Sequence, residues 1–331
     1  MSVAAPRQRL VFFGAGAFGL PTLEALAEAH DLSLVVTQPD RPAGRGRKPA
    51  PNPIGAWAAE AVETGRLAPE QVFKPESVND PALRDHIRGF EVDAWVVIAF
   101  GQKLSRRLLE DRFAINLHAS LLPRWRGAAP INAAILAGDA ETGNSVITLA
   151  DRMDAGLVLG QSRPPYPPRR IEPQLTAGAL HDLLAADGPA LMLDVLQQRA
   201  EGRLAPLEQD ESLVTVAPKL SKADGWVDFG QPAEAVRRRI HGLTPWPGAT
   251  VEFRGEPLKL LRAEVVDGFA SGLAPGAIAE PEEGVVACAQ GELRVLETQP
   301  AGGRKMMWSE FARGRRPARG ERLHGRTEPA R

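Results

Sequence analysis

The chain has 331 residues, which is enough for about two domains of ordinary size. Its 40 lysines and arginines nearly balance 41 aspartates and glutamates, and the net charge of −1 excludes a global field that attracts nucleic acid or membranes. The single cysteine, Cys288, excludes an intrachain disulfide and a cysteine-based metal site, and no apolar run approaches the ~20 residues of a membrane span. We therefore expect a cytoplasmic protein with no membrane segment, in which nucleic-acid affinity comes from local basic patches.

Short apolar runs alternate with helical patterns over residues 10–199. The predicted strands are residues 10–13, 32–36, 93–100, the run around Asn116, and 145–149. The predicted helices are residues 20–28, 54–64, 104–110, 130–136 and 177–199. Nearly continuous apolar runs, such as residues 95–98, are typical of a parallel sheet that is covered on both faces. The alternation therefore predicts a doubly wound, Rossmann-like α/β domain.

A glycine-rich turn joins the first predicted strand to the first predicted helix. Gly14, Gly16 and Gly19 fit the G-x-G-x-x-G pattern of dinucleotide binding, and Asp40 fits the acid that holds a ribose about 20 residues later. An NAD-dependent dehydrogenase is therefore one interpretation. A tight strand-to-helix turn is the other, and we favour it because Asp40 lies between Pro39 and an arginine-rich loop rather than directly at a strand end.

Residues 38–53 are rich in proline, glycine and arginine, and this composition predicts a loop. A dense basic patch within it is formed by Arg41, Arg45, Arg47 and Lys48. Charge runs are usually solvated surface, but loops that follow the strands of an α/β domain often carry function. We favour a functional role in which the loop contacts phosphates, which supplies affinity without sequence readout.

Two polar side chains lie two positions apart in the apolar run that precedes Pro123. In an extended strand, Asn116 and His118 would project from the same face, and burying both requires partners for each. The segment Ser120–Pro123 predicts that the strand ends there in a rigid loop. Downstream, Asp154 comes just before a glycine turn. An amide, an imidazole and a carboxylate together can perform acyl-type transfer without a metal, by polarising a carbonyl, serving an oxyanion and providing a proton path.

The sequence pattern changes after residue 200. Residues 201–212 are polar and predict a linker, and from Val214 onward short alternating segments are separated by glycine, proline and acidic turns. The strands predicted in this part are residues 250–253, 258–266, 284–288 and 293–297, with one helix at residues 233–243. This spacing predicts a small β-barrel or sandwich as a second domain.

The ordered motifs Asn116-x-His118, Ser120-Leu-Leu-Pro123 and Asp154-Ala-Gly resemble those of the folate-dependent formyltransferases. The resemblance runs nearly end to end through residues 37–48, 121–131, 137–143, 219–222, 244–248 and 311–316. These runs are most similar to the members that formylate the methionine carried by initiator tRNA. The Asn-x-His pattern alone is a weak signal, whereas the whole ordered set is a strong one.

The resemblance implies 10-formyltetrahydrofolate as the donor and co-substrate, and initiator Met-tRNA as the acceptor, with neither a metal nor NAD. Together with the change in composition, it implies a catalytic domain at residues 1–200, a linker at 201–212 and an OB-like tRNA-binding domain at 213–325. We expect the protein to be a monomer. One departure is the first glycine turn, where the family often carries Thr-Pro-Asp or Thr-Pro-Glu and this chain has Ala15 to Ala17.

The resemblance also implies a role for each candidate site residue. Asn116 would hold the formyl oxygen, His118 would donate to the oxyanion, and Asp154 would orient His118 or a water and help to carry the amine proton. The folate site would be lined by Ser120, Leu121, Leu122 and Pro123. The acceptor end of the tRNA would be contacted by Arg41, Arg45, Arg47 and Lys48.

Several alternatives share part of this evidence. A sugar-nucleotide N-formyltransferase would use the same three catalytic residues but would not need the loop that contains Arg45. A formyltetrahydrofolate hydrolase would use water as the acceptor. The dehydrogenase interpretation leaves the Asn-His-Asp set without a role in hydride transfer. A non-enzymatic RNA-binding protein would use the basic loop and the second domain, but it leaves the buried Asn116–His118 pair unexplained.

Overall fold

The computed structural model describes residues 6–43, 48–268 and 271–325. Within them, the first of two compact units contains the residues up to 126 together with 143–169 and 181–215. The second unit contains residues 127–142, 170–180 and those from 216 onward. None of the described helices combines the length and the apolarity that a bilayer crossing requires.

A mostly parallel sheet forms the centre of the first unit. Its described strands are β1 (Arg9–Gly14), β2 (Asp31–Val36), β3 (Val72–Phe73), β4 (Ala94–Ile98), β5 (Ala114–His118), β6 (Ser145–Thr148) and β7 (Val158–Gln161). Their order in space is β7-β6-β5-β4-β1-β2-β3. Strands β1 to β5 pair in parallel, whereas β6 is antiparallel to both β5 and β7. The predicted α/β fold is confirmed, and the antiparallel edge is an addition that apolar periodicity does not reveal.

The helices largely follow the sequence prediction. They are α1 (Leu20–Ala29), α2 (Pro53–Glu63), α3 (Pro81–Arg88), α4 (Arg106–Leu109), α5 (Pro130–Ala137) and α6 (Ala177–Ala200). Polar side chains cap three of these helices, because Asn52, Asp80 and Ser105 accept hydrogen bonds from backbone N–H groups of the first turns. Helix α3 was not predicted, although Asp80 followed by proline is a recognisable helix start.

The strands β1 and β4 lie in the buried centre of the sheet, beside the strand that carries Asn116 and His118. Every residue of β4 is buried, and the rings of Phe13 and Trp95 lie 5.2 Å apart between their centroids. Strand β5 pairs directly with β4, so that Asn116 lies opposite Val97. Close packing of this kind restrains β5, since a well-packed core tolerates little displacement.

An antiparallel, curled sheet forms the second unit. Its strands are β8 (Ala249–Phe253), β9 (Glu256–Val266), β10 (Ile278–Glu280), β11 (Val285–Ala287), β12 (Glu292–Pro300), β13 (Met306–Met307) and β14 (Leu323–His324). The order is β10-β11-β12-β9-β8-β14, with β13 paired to β12. Helices α7 (Ala233–Gly242) and α8 (Trp308–Arg315) pack on it, and Trp308 is buried in its core. The predicted OB-like second domain is thereby confirmed as a fold class, whereas α8 was not predicted.

Short paired strands complete the described structure. They are Arg41–Ala43 with Lys48–Ala50, Arg126–Gly127 with Val216–Ala217, and Glu141–Thr142 with Arg169–Arg170.

Candidate active site

Strand β5 carries Asn116 and His118 on one face, as their spacing predicts. Asn116 is half-buried, whereas His118 is buried and is the last residue of the strand. Both residues are held between two neighbouring strands, because β6 places Ile147 opposite Asn116 and Ser145 opposite His118. The two side chains therefore project from a fixed backbone.

The His118 ring has an oxygen near each of its nitrogens. Its Nε2 lies 2.8 Å from the carbonyl oxygen of Trp125, and its Nδ1 lies 3.6 Å from Asp154 Oδ2. A carbonyl oxygen only accepts, so Nε2 carries a proton in this arrangement. Nδ1 is consequently the nitrogen that faces the carboxylate, and a second proton on it would make an imidazolium whose charge Asp154 balances.

Asp154 lies in a tight turn between β6 and β7. Its backbone has a φ of 54°, in the left-handed region that few residues other than glycine occupy. Two residues later, a Cβ on Gly156 would lie only 1.7 Å from the carbonyl oxygen of Thr148. The Thr148 hydroxyl oxygen accepts from the backbone N–H of Leu157 at 2.9 Å. The turn is thus pressed onto the end of β6, and this contact fixes the position of Asp154.

The loop that follows β5 is held by hydrogen bonds to Ser145 on β6. Ser120 and Leu122 are buried, whereas Leu121 and Pro123 are half-buried. The Ser145 hydroxyl donates to the carbonyl oxygen of Ser120 and accepts from the backbone N–H of Leu122. The predicted rigid loop is therefore present, and its two half-buried side chains are the ones that remain accessible.

The glycine turn after β1 is packed against the protein itself. A Cβ on Gly14 would lie 2.5 Å from the Phe12 ring, and one on Gly16 would lie 3.1 Å from the Ala99 Cβ. The Gly16 N–H donates to the Ala99 carbonyl oxygen at 3.2 Å. Packing alone accounts for glycine at these two positions.

The predicted basic loop contains a short hairpin, formed by the strands Arg41–Ala43 and Lys48–Ala50. Arg41 and Lys48 are exposed, and Arg41 pairs with Glu76 at 2.7 Å. Arg45 and Arg47 lie outside the described residues. The sequence predicts only a loop here because each of the two short strands has a proline at its centre, and Pro42 lies opposite Pro49 in the ladder.

One contact to the Asp154 turn was missed by the sequence analysis. Gln209, in the predicted linker, donates to the carbonyl oxygens of Asp154 and Gly156 at 2.7 and 2.8 Å. The composition of residues 201–212 does not distinguish a solvated linker from a segment that packs beside the site, since both kinds of segment are polar. Over the described parts of the chain, no cluster of three or more histidine, cysteine or acidic side chains is arranged to hold a metal ion.

Two protein-family models match the chain. The model described as formyl transferase matches residues 8–196, and the model described as formyl transferase, C-terminal domain, matches residues 219–316. The methionyl-tRNA formyltransferase of Methylococcus capsulatus is 42% identical over 307 residues, which cover 92% of this chain and 96% of that relative. The enzyme of the same name from Solibacter usitatus is 40% identical over 318 residues, which cover 95% and 98%.

Solved structures share the fold at low sequence identity. WlaRD, a sugar 3N-formyl transferase, matches 89% of this chain and 98% of its own with a TM-score of 0.65 and 14% identity. HypX from Aquifex aeolicus, in complex with tetrahydrofolic acid, has a TM-score of 0.61 and 16% identity. That match covers 93% of this chain but 47% of HypX. At such identities the likeness shows the fold alone.

Proposed function

This chain belongs to the formyl transferase family, and from that premise we propose that it formylates the methionine carried by initiator tRNA. The formyl group of 10-formyltetrahydrofolate passes to the free α-amino group of the methionine, which makes the protein a one-carbon transferase of translation initiation. The observation that carries this proposal is the 42% identity to a methionyl-tRNA formyltransferase over 92% of the chain. A folate-derived donor fits the family, and a tetrahydrofolate complex occurs among proteins of the same fold.

The geometry around His118 supports a direct transfer. The neutral amine attacks the formyl carbon, a carbon–nitrogen bond forms, and the carbonyl oxygen becomes an oxyanion. Asn116 donates to that oxygen from the half-buried face of β5. Since His118 Nε2 is held by the Trp125 carbonyl oxygen, the hydrogen bond that His118 donates to the oxyanion comes from Nδ1–H, and the proton stays on His118. His118 is then an imidazolium, and Asp154 balances its charge from 3.6 Å away.

Collapse of the tetrahedral intermediate completes the transfer. The bond between the formyl carbon and folate N10 breaks, and its electron pair stays on N10. The proton lost by the attacking amine moves to N10 by way of the Asp154 carboxylate or a water that it orients. Asp154 is suited to this role because its turn is fixed on both sides, by Thr148 and by Gln209.

The remaining site assignments are part of the same proposal. In the loop after β5, Leu121 and Pro123 present apolar surface to the folate, while Ser120 and Leu122 maintain the shape of the loop. The domains are residues 1–200 for catalysis, 201–212 as a linker and 213–325 for tRNA binding. The protein acts in the cytoplasm as a monomer. Light scattering of the purified protein tests the monomeric state, and a mass of two chains would contradict it.

The glycine turn after β1 is proposed to bind no dinucleotide, because its glycines serve close packing. Asp40, the acid that would bind a ribose, instead forms an ion pair with Lys74 at 2.7 Å. We expect no saturable heat signal when NAD(H) or NADP(H) is titrated into the protein in a calorimeter. Saturable micromolar binding of either cofactor would favour the dehydrogenase interpretation.

A competition assay tests the proposed function directly. Labelled 10-formyltetrahydrofolate is supplied together with Met-tRNA and an amino-sugar nucleotide, and each acceptor is analysed for the label. We expect label on Met-tRNA. Label on the sugar nucleotide would favour the alternative sugar N-formyltransferase, and release of free formate would favour a hydrolase.

A formyltransferase that acts on tRNA should need the basic loop, whereas one that acts on a sugar nucleotide should not. Replacing Arg45 by alanine should lower kcat/KM for Met-tRNA and reduce the slope of log binding constant against log salt by about one, because one phosphate contact is lost. Folate affinity should not change, since the loop after β5 is a separate element. The measurement compares tRNA kinetics at several salt concentrations with folate binding determined independently.

Arg107→Ala provides the control for this prediction. Arg107 is an exposed arginine on α4, so its removal changes the net charge by the same amount without altering the loop. If Arg45→Ala behaves like Arg107→Ala towards tRNA, the loop has no role in tRNA binding.

A further inference from the structure

We propose that Gln209 is a positioning residue, which holds the Asp154 turn in the geometry needed for proton transfer. This inference rests on the proposed function and adds a residue to it. The segment after α6 returns to the site, because Leu207 and Val158 exchange both backbone hydrogen bonds at 2.8 and 2.9 Å. Residues 207–215, which we call the strap, thus run beside the strand that leaves the Asp154 turn.

Gln209 uses the whole of its side-chain amide. Its Nε2 donates to the carbonyl oxygen of Asp154 at 2.7 Å and to that of Gly156 at 2.8 Å. Its Oε1 accepts from Arg126 Nε at 2.9 Å. These partners fix the orientation of the amide, because carbonyl oxygens only accept and a guanidinium only donates. A glutamate of the same size could keep the bond to Arg126 but would turn an oxygen towards two carbonyl oxygens.

The turn needs such support because its backbone is unfavourable by itself. Asp154 lies at a φ of 54°, and residues held in this region persist only where the surroundings fix them. Gln209 donates to the carbonyl oxygens of Asp154 and Gly156, two residues apart, and so it holds these two positions of the turn together. Thr148 limits the turn at Gly156, where an added Cβ would lie 1.7 Å from the Thr148 carbonyl oxygen.

The donor to Gln209 is itself fixed. Arg126 is buried, and its NH2 pairs with Glu211 of the strap at 2.9 Å. Arg152 donates to the same Glu211 oxygen at 2.7 Å. The Arg126 hydrogen bond holds the pKa of Glu211 below its usual range, so the carboxylate stays ionised and keeps both arginines in place. Gln209 is therefore attached to a network that joins the strap to Arg126 and Arg152.

The strap also reaches the residue that orients His118. The Thr215 hydroxyl oxygen accepts from the Trp125 N–H at 2.9 Å, and the Thr215 carbonyl oxygen accepts from the Arg126 N–H at 2.9 Å. The Trp125 carbonyl oxygen is the partner of His118 Nε2. The strap thus forms hydrogen bonds both to Trp125, the partner of His118, and to the backbone of Asp154. A segment that only linked two domains would not need these contacts.

The experiment uses the full chain with Gln209→Glu and Gln209→Ala, and with Glu208→Gln as the control. Glu208 is the exposed neighbour of Gln209, so its variant alters the charge of the same segment without touching the turn. We expect both Gln209 variants to lower kcat about 10- to 100-fold, as a misplacement of about 1 Å does, with KM for Met-tRNA and for the folate within about twofold. Glu208→Gln should match the wild type. Melting temperatures show which of the two Gln209 variants is folded at the assay temperature.

A double-mutant cycle separates positioning from a general loss of structure. If Gln209 acts through the carboxylate of Asp154, Gln209→Glu should have little further effect on kcat once Asp154→Asn is present. Two independent, multiplicative losses would overturn the inference, and so would a wild-type kcat in a folded Gln209 variant. Failure of the proposed function looks different, because the wild-type protein would then transfer no formyl group to Met-tRNA.

Discussion

Replacing His118 by alanine should lower kcat for formyl transfer by about 10²–10³-fold, the usual cost of removing one oxyanion donor. The ring is buried, with the Trp125 carbonyl oxygen at Nε2 and the Asp154 carboxylate 3.6 Å from Nδ1. The alanine variant leaves no imidazole beside the Asp154 carboxylate. The measurement is kcat with 10-formyltetrahydrofolate and Met-tRNA, accompanied by circular dichroism to confirm the fold.

The other two residues of the set should behave in the same way. Asn116→Ala removes the donor to the formyl oxygen, and Asp154→Ala removes the countercharge and the proton path. His181→Ala is the matched control, because His181 also lies beside a carboxylate, that of Asp182, at 2.9 Å on α6. A kcat like that of the wild type in any one of the three variants would remove that residue from the mechanism, and the same loss in His181→Ala would point to a general effect on the fold.

The part of this site that lies within one strand could be predicted from the sequence. An alternation of two residues defines a face, so Asn116 and His118 had to project together once the apolar run was recognised as a strand. The rigid loop after the strand followed from its proline and from the shortness of Ser120–Pro123. Both inferences use short-range geometry, which the chain imposes without help from the rest of the fold.

The distance between His118 and Asp154 could not be predicted in this way. It depends on β6 running antiparallel to β5 and on the turn before β7, and apolar periodicity reports neither strand direction nor the path of a turn. Only the family resemblance placed the two residues together. The left-handed backbone of Asp154 is equally hidden, since an aspartate before Ala-Gly is common in ordinary turns.

The role of residues 207–215 was hidden for a different reason. A solvated linker and a segment that hydrogen-bonds to buried backbone have the same polar composition, and they differ only in the partners that tertiary structure supplies. Gln209 finds those partners because Leu207 pairs with Val158 and brings the segment beside the turn. The sequence therefore does not reveal the contacts that support the Asp154 turn.

Replacing Gly156 by alanine should remove most of the activity while leaving the Asn116, His118 and Asp154 side chains unchanged. The new methyl would lie 1.7 Å from the Thr148 carbonyl oxygen and 2.6 Å from the carbonyl carbon, and these are backbone atoms that cannot rotate away. The turn must therefore move, and Asp154 moves with it. We expect kcat to fall about 100-fold, as a displacement of about 1 Å produces. The free energy of unfolding should fall by about 1–3 kcal/mol, which is typical of overpacking.

Gly314→Ala is the control for this prediction. Gly314 lies in α8, where an added Cβ meets no atom within 4 Å, so alanine should leave kcat unchanged and at most raise the melting temperature. Denaturant unfolding and steady-state kinetics on both variants separate the two expected effects of Gly156→Ala. If kcat falls while folate and tRNA still bind with wild-type affinity, the position of Asp154 sets the rate of transfer. If Gly156→Ala keeps its wild-type kcat, the contact with Thr148 does not set the position of Asp154 that the reaction needs.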